Sequence, residues 1–113
     1  MKYKFAIVPF PFDDLSAVKP RPVICLTDKI GSHNHIVVAF VTSQISKATE
    51  TTDLKILSTD SEFYKTGLRQ NSAIRLHRLF SISENMIDYV FGELPTAYQK
   101  DLENKLKDLF ELN

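Results

Sequence analysis

Three short stretches carry side chains suited to one chemistry, the handling of phosphate. Arg21 stands between two prolines in Lys19-Pro20-Arg21-Pro22, directly before the apolar run Pro22 to Leu26. The prolines fix φ near about −65°, and Pro22 also biases Arg21 away from the helical region. The guanidinium therefore rises from stiff, extended backbone at the mouth of a strand, facing the polar loop Asp13 to Pro20. A planar fork held there is suited to reading phosphate; the alternative is a surface arginine whose prolines only shape a turn. Thr42 and Ser43 close the run Ala39-Phe40-Val41, and neighbouring hydroxyls at a strand end either donate to phosphate oxygens or a 2′-hydroxyl, or simply end the strand. Arg75 and His77, two residues apart in an alternating run, point the same way and can join Arg21 in a phosphate site. A half-buried strand with a solvated basic face is the competing reading.

The periodicities of the chain supply the elements that must position these groups. Tyr3 to Val8, made of β-branched, aromatic and aliphatic residues, reads as a first strand. Pro9 and Pro11 cannot donate ladder hydrogen bonds, so the strand should end or become an edge near them. Residues 13–20 form a first long loop. Pro22 to Thr27 and Ile36 to Thr42 are the second and third strands, joined by a turn-rich segment with Gly31 at positive φ. The polar residues 45–53 form a second, mobile loop, and Leu54 to Leu57 a short strand. Ser58 to Thr66 is ambiguous between loop and helical turn. In the next run Ile74, Leu76 and Arg78 share one face, and Ala73, Arg75, His77 and Leu79 the other. A last strand lies near Met86 to Phe91, with Gly92 ending it. Thr96 and Gln99 fit a capping box, or Pro95 occupies the first helical position; Tyr98, Leu102, Leu106, Leu109 and Phe110 then give a helix with one apolar face. Short strands, polar loops and a terminal helix predict a mainly β chain, either a small barrel or a strongly bent sheet with a helix covering it.

With 113 residues the chain is expected to be one domain over 1–113, large enough to bury roughly two thirds of its unfolded surface. No charged-then-apolar leader opens it and no apolar run approaches the roughly 18 residues of a membrane span, so a cytoplasmic protein is expected. Cys25 is the lone cysteine and sits in a strand, the place of a small buried hydrophobe. His33 and His35 suggest metal ligands at first, but no further cysteine, histidine or carboxylate completes a site at recognisable spacing, and no metal or cofactor is expected. Walker, Rossmann and zinc-finger spacings and internal repeats are all missing.

Net charge is zero, yet its distribution is uneven. Residues 1–47 hold six Lys/Arg against three Asp/Glu, and residues 63–80 hold four cations and no acid. Residues 48–62 and 81–113 are acidic. Two basic segments meeting on one face would hold RNA or an acidic partner despite overall neutrality.

The run Ile7-Val8-Pro9-Phe10-Pro11-Phe12, the Asp14-Leu15-Ser16 after it and Lys19-Pro20-Arg21-Pro22 together resemble the opening of PemK/MazF-type toxins. These are the ribonuclease half of type II toxin–antitoxin pairs. The Thr42-Ser43 pair at the end of an apolar strand extends the resemblance. So do Gly67-Leu68, Ser72 and the strand bearing Arg75 and His77. Two departures stand out: Tyr3-Lys4 where relatives begin with Gly-Asp, and His77 where some relatives have an aspartate.

The resemblance implies an SH3-like barrel of the PemK/MazF/CcdB type, usually a homodimer. It implies a metal-independent endoribonuclease (mRNA interferase) that cuts single-stranded RNA by attack of a 2′-hydroxyl on the adjacent phosphate. The products are a 2′,3′-cyclic phosphate or 3′-phosphate and a 5′-hydroxyl. Arg21 matches the family's catalytic arginine, placed to stabilise the phosphorane, and Thr42 its catalytic threonine. His77 stands as base or acid, since histidine titrates near neutrality. Ser16, Lys19, Ser43, Gln44 and Arg75 are implied substrate contacts, and Phe10 or Phe12 either stacks on a base or packs in the core. A cognate antitoxin is implied, with a C-terminal segment laid across the basic face. The alternatives are a toxin of the same barrel type, or a non-catalytic relative, that binds a protein target such as DNA gyrase, and an RNA-binding barrel without turnover.

Overall fold

Proline placement decides where the strands of this protein can pair and where they must part. The computed structural model describes residues 1–11 and 18–112, so Ser16 and Phe12 lie outside the described residues. Within them run β1 (Lys4–Pro11), β2 (Val18–Cys25), β3 (His35–Thr42), β4 (Asp53–Ile56), β5 (Ser72–Ser83), β6 (Tyr89–Glu93) and α1 (Thr96–Leu109). The strands form one antiparallel sheet in the order β4-β5-β3-β2-β1-β6, curled as a half-barrel.

In an antiparallel sheet alternate residues turn their backbone groups to opposite neighbours. The carbonyl of Ile7 accepts from the N–H of Asp88 at 2.8 Å, so position 7 faces β6. Pro9 and Pro11 share its parity and have no N–H to give in that direction. On β2, Pro20 and Pro22 stand opposite Pro9 and Ile7, so their nitrogens turn toward β3. The β1–β6 ladder accordingly stops at Ile7↔Tyr89 and the β2–β3 ladder at Val23↔Phe40. Between β1 and β2, where no proline nitrogen is required, pairing continues to Pro11↔Val18. The first strand thus becomes an edge instead of ending, and the second begins earlier than the Pro22 expected from sequence.

Each face of the curled sheet carries apolar side chains. Phe5, Ile24, Ala39, Val41, Ile74 and Leu76 on one face pack beneath α1, which contributes buried Leu102 with Tyr98 and Leu106 against it. On the opposite face Ala6, Val8, Val23, Cys25, Val38, Phe40 and Ile82 form a second cluster. Cys25 is fully buried, and burial pushes its thiol pKa up, as suits a small hydrophobe. No helix among the described residues is long and apolar enough to cross a membrane.

Several local expectations are corrected. The capping box does not form: Pro95 is the N-cap, Thr96 opens the helix, and Gln99 Nε2 donates to the carbonyl of Leu94 at 3.2 Å. Phe110 lies past the last helical residue and is exposed, because the apolar stripe has left the sheet by then. Gly31 has the expected positive φ. Ser58 to Thr66 resolves into a 3₁₀ turn at Phe63–Thr66, closed by Gly67 at φ +70°. Gly92 lies inside β6 and does not end it. Its reason is non-local: a Cβ there would collide with the backbone carbonyl of Thr66. Gly92→Ala should therefore cost about 2–3 kcal/mol, as overpacking between two backbones that cannot both retreat. Chemical denaturation of the variant should show a lower midpoint at an unchanged slope; an unchanged midpoint would mean that the turn yields freely.

Candidate functional site

Where the prolines stop the β2–β3 ladder, the ends of the two strands open into a cleft. Continuing their register by two residues brings Arg21 level with Thr42, both on the face of Val23 and Phe40. A cleft of about 290 Å³ is lined there by Arg21, Phe40, Val41, Thr42, Gln44, Lys47, Arg75 and Arg78. It runs into a shallower hollow of about 220 Å³ that adds Pro22 and Ser43. Four of the lining residues are cations and none is an acid. Arg21 and Lys47 come from the first basic segment, Arg75 and Arg78 from the second, so the two segments do meet on one face. Lys19 does not line the cleft; it is exposed on the β1–β2 ribbon.

Several of these side chains are held by nameable contacts. Arg21 is half-buried and its Nε is enclosed. The Thr42 hydroxyl oxygen accepts from the N–H of Gln44 at 3.1 Å, which leaves its O–H to donate. The guanidinium of Arg78 stands 4.9 Å from the centroid of the Phe40 ring, within cation–π range. Phe40 itself is one of three mutually packed rings, 5.2 Å from Phe10 and 4.7 Å from Phe80. Phe10 is thus part of the aromatic foundation on this face.

A bulge in β5 sets which of its residues reach the cleft. Phe40 pairs with Arg75 while its neighbour Ala39 pairs with Leu79, so Leu76, His77 and Arg78 have no counterpart on β3. The alternation expected from sequence breaks at that point. Arg78 joins Arg75 in the cleft although simple alternation puts them on opposite faces. His77, expected to share the orientation of Arg75, does not line the cleft: its Nδ1 lies 2.7 Å from the hydroxyl oxygen of Thr52. Arg75 is clamped by Asp53, its Nε donating to Oδ1 at 3.0 Å and its Nη2 to Oδ2 at 3.4 Å.

Sequence reasoning singled out Arg21, Thr42, Ser43, Gln44 and Arg75, and the structure places these five around the cleft and its hollow. That reasoning missed Lys47, Arg78 and Asp53 as members of the same neighbourhood. Lys47 sits in a 3₁₀ turn, Ile45–Lys47, inside a stretch read only as polar loop. The one local sign of the bulge that redirects Arg78 is a break in alternation, polar His77-Arg78 followed by apolar Leu79-Phe80. A second hollow of about 540 Å³ opens among Ile7, Val41, Leu68, Arg69, Tyr89 and Phe91, on the helix-covered side of the sheet; Arg69 is the one charged residue lining it. The cation-lined cleft, not this larger space, has the chemistry of an anion site. The rings of His33 and His35 lie 6.0 Å apart, and among the described residues no group of three or more His, Cys, Asp or Glu side chains could hold a metal ion.

The family model for PemK-like, MazF-like toxins of type II toxin–antitoxin systems matches residues 3–110. The Mycobacterium tuberculosis toxin MazF-mt6 has a similar structure, with a TM-score of 0.69 at 19% identity over 96% of this chain and 98% of that one. An endoribonuclease in complex with its cognate antitoxin, from Mycobacterial species, gives 0.73 at 11% identity over 100% and 96%. A further endoribonuclease from Mycobacterial species gives 0.67 at 11% over 99% and 92%. At such identities the likeness is one of fold. No curated protein matches the sequence at a significant level.

If the cleft is the anion site, Arg78→Ala and Lys47→Ala should each leave a heparin column at clearly lower salt, having lost one contact to the polyanion. Lys100→Ala, on the exposed surface of α1, should elute with wild type. Equal shifts for all three would assign the binding to diffuse charge.

Proposed function

The chain belongs to the PemK-like, MazF-like toxins of type II toxin–antitoxin systems, and from that premise we propose that it is an endoribonuclease acting on single-stranded RNA. The observation that carries this reading is the meeting of Arg21, Lys47, Arg75 and Arg78 around the Thr42 hydroxyl in one open cleft. A polyanion fits such a cleft, and a 2′-hydroxyl is the nucleophile that such a site needs from its substrate.

The reaction is attack of the 2′-oxygen on its own phosphate, with the 5′-oxygen leaving. It needs a base for the 2′-hydroxyl proton, a donor at the departing oxygen and cations for the charge on the phosphorane. No step calls for a metal ion. Arg21 stabilises the phosphorane and donates to the departing 5′-oxygen; a guanidinium is a poor base because it keeps its proton. Thr42, with its O–H free to donate, positions the scissile phosphate together with Ser43 and Gln44. Arg75 is a second phosphate contact, and Lys19 and Ser16 meet the substrate further along the chain. His77 keeps the role of base or acid, for a substrate that extends past Arg75, since it does not line the cleft itself. It lies between two cleft residues in sequence, and with Nδ1 engaged by Thr52 its Nε2 is the nitrogen left for substrate. The protein acts in the cytoplasm as a homodimer and is silenced by a cognate antitoxin that covers the basic cleft.

Incubation of a long single-stranded RNA with wild type and Arg21→Ala in EDTA tests the reading, with product ends mapped. Wild type should leave 5′-hydroxyl ends, and the variant should cut about 10²–10³-fold more slowly. An RNA with 2′-deoxyribose at the cut site should remain whole. Folded wild-type protein that leaves every RNA intact would end the nuclease reading and direct attention to a protein target.

His77→Gln checks this assignment separately. Loss of about 10²-fold in the maximal rate is expected of a general base or acid. A rate within twofold of wild type would return proton transfer to another group.

A further inference from the structure

Asp53 opens the edge strand β4, yet its side chain is 1% exposed. A buried carboxylate is retained at little cost only when its charge and lone pairs are matched. Here they are. Oδ1 accepts from Arg75 Nε at 3.0 Å, and Oδ2 accepts from Arg75 Nη2 at 3.4 Å and from the backbone N–H of Glu50 at 3.0 Å. The ladder places Asp53 directly opposite Arg75 on one side and Phe40 opposite Arg75 on the other.

A guanidinium has five N–H donors in a rigid plane. Asp53 engages the edge made by Nε and Nη2. The remaining edge, Nη1 with the second hydrogen of Nη2, is another fork of the kind that meets two phosphate oxygens at once. Arg75 lines the cleft beside Arg21 and Thr42, and its guanidinium makes no other hydrogen bond among the described residues.

We propose that Asp53 is a positioning residue for the phosphate site: it fixes one edge of the Arg75 guanidinium so that the opposite edge meets the scissile phosphate already oriented. The inference rests on the nuclease reading above. It carries a distinctive consequence, because Asp53 also offsets the charge of Arg75. Freed of Asp53, Arg75 attracts RNA at least as strongly but holds the phosphate less well. Orientation is lost while attraction is kept.

The variant is Asp53→Asn, nearly the same shape without the charge. Its maximal cleavage rate should fall about 10–100-fold, the effect of a misplaced contact, while KM stays equal or drops. Its binding to a 2′-O-methyl RNA that cannot be cut should depend more steeply on salt, the log–log slope growing by about 0.7 for one released cation. Loss of folded protein cannot produce either the lower KM or the steeper slope. Arg75→Lys keeps the charge but has no second edge, so it should lose rate similarly while binding the uncut RNA like wild type; it decides the matter if Asp53→Asn does not fold. A wild-type rate in either folded variant overturns the proposal, as does a rate loss in Asp53→Asn matched by equal weakening of binding. Should wild type cut no RNA, the nuclease reading fails on its own. Asp53 is then judged by the Arg75 Nε–H signal in nitrogen-correlated NMR, with inorganic phosphate as probe. Protection from exchange and a shift on adding phosphate, both lost in Asp53→Asn, support the clamp; a freely exchanging signal in wild type overturns it.

Discussion

A backbone N–H must find a partner, and proline has none to offer; from that constraint most of this architecture follows. Pro9, Pro20 and Pro22 occupy the positions of the β1–β2 ribbon whose nitrogens face outward, toward β6 and β3. The ribbon holds together internally while both outer ladders stop. The same residues in the alternate register would break the ribbon and leave the flanks intact. Since a one-residue slip also exchanges the two faces of a strand, prolines and apolar alternation specify the same register from independent physics. The opening that results between β2 and β3 is where Arg21 and Thr42 stand level.

Crowding cations into that opening costs energy. Two like charges about 4 Å apart repel by roughly 1 kcal/mol in water and about 4 kcal/mol near a protein surface. Four of them line a cleft of about 290 Å³ in a chain whose formal net charge is zero. Part of the cost is offset locally, by Asp53 behind Arg75 and by the face of Phe40 beneath Arg78. What remains is relieved by an arriving anion, so binding restores a balance that the folded chain alone lacks. Overall neutrality is compatible with this because the acids are placed elsewhere, many of them along α1 and the segment before it.

The strands were legible wherever burial alternates without interruption. β1, β2 and β3 could be placed to within a few residues, and with them the pairing of Arg21 with the Thr42 strand end, because β-branched and proline-marked runs carry their own boundaries. Gly92 was misread for a reason that is not local: its neighbour is Thr66, far away in the chain, and a glycine demanded by a distant backbone looks the same as a glycine that ends a strand. The bulge at Leu76 to Arg78 was barely legible. No glycine or proline marks it; the alternation does falter there, with His77 and Arg78 both polar and Leu79 and Phe80 both apolar, but only pairing with β3 reveals that three residues are surplus. His77 and Arg78 were therefore given each other's surroundings.

Those surplus residues must be stabilised by something other than β3, and the dipeptide Thr52-Asp53 does it. The carbonyl of Thr52 accepts the N–H of Leu76 at 3.1 Å, and its hydroxyl meets His77 Nδ1 at 2.7 Å. The carboxylate of Asp53 holds Arg75, the last residue before the bulge. Three functional groups on two adjacent residues thus hold three adjacent residues of β5. Were Thr52 and Asp53 a solvent loop, as their polarity suggests, β5 would have neither a partner for the Leu76 N–H nor a counterion for Arg75. The least cost would then be to pair straight along β3 and expel the bulge, which would turn Arg78 out of the cleft. The position of two cations in the cleft is in this sense decided at Thr52 and the first residue of β4, neither of which lines the cleft.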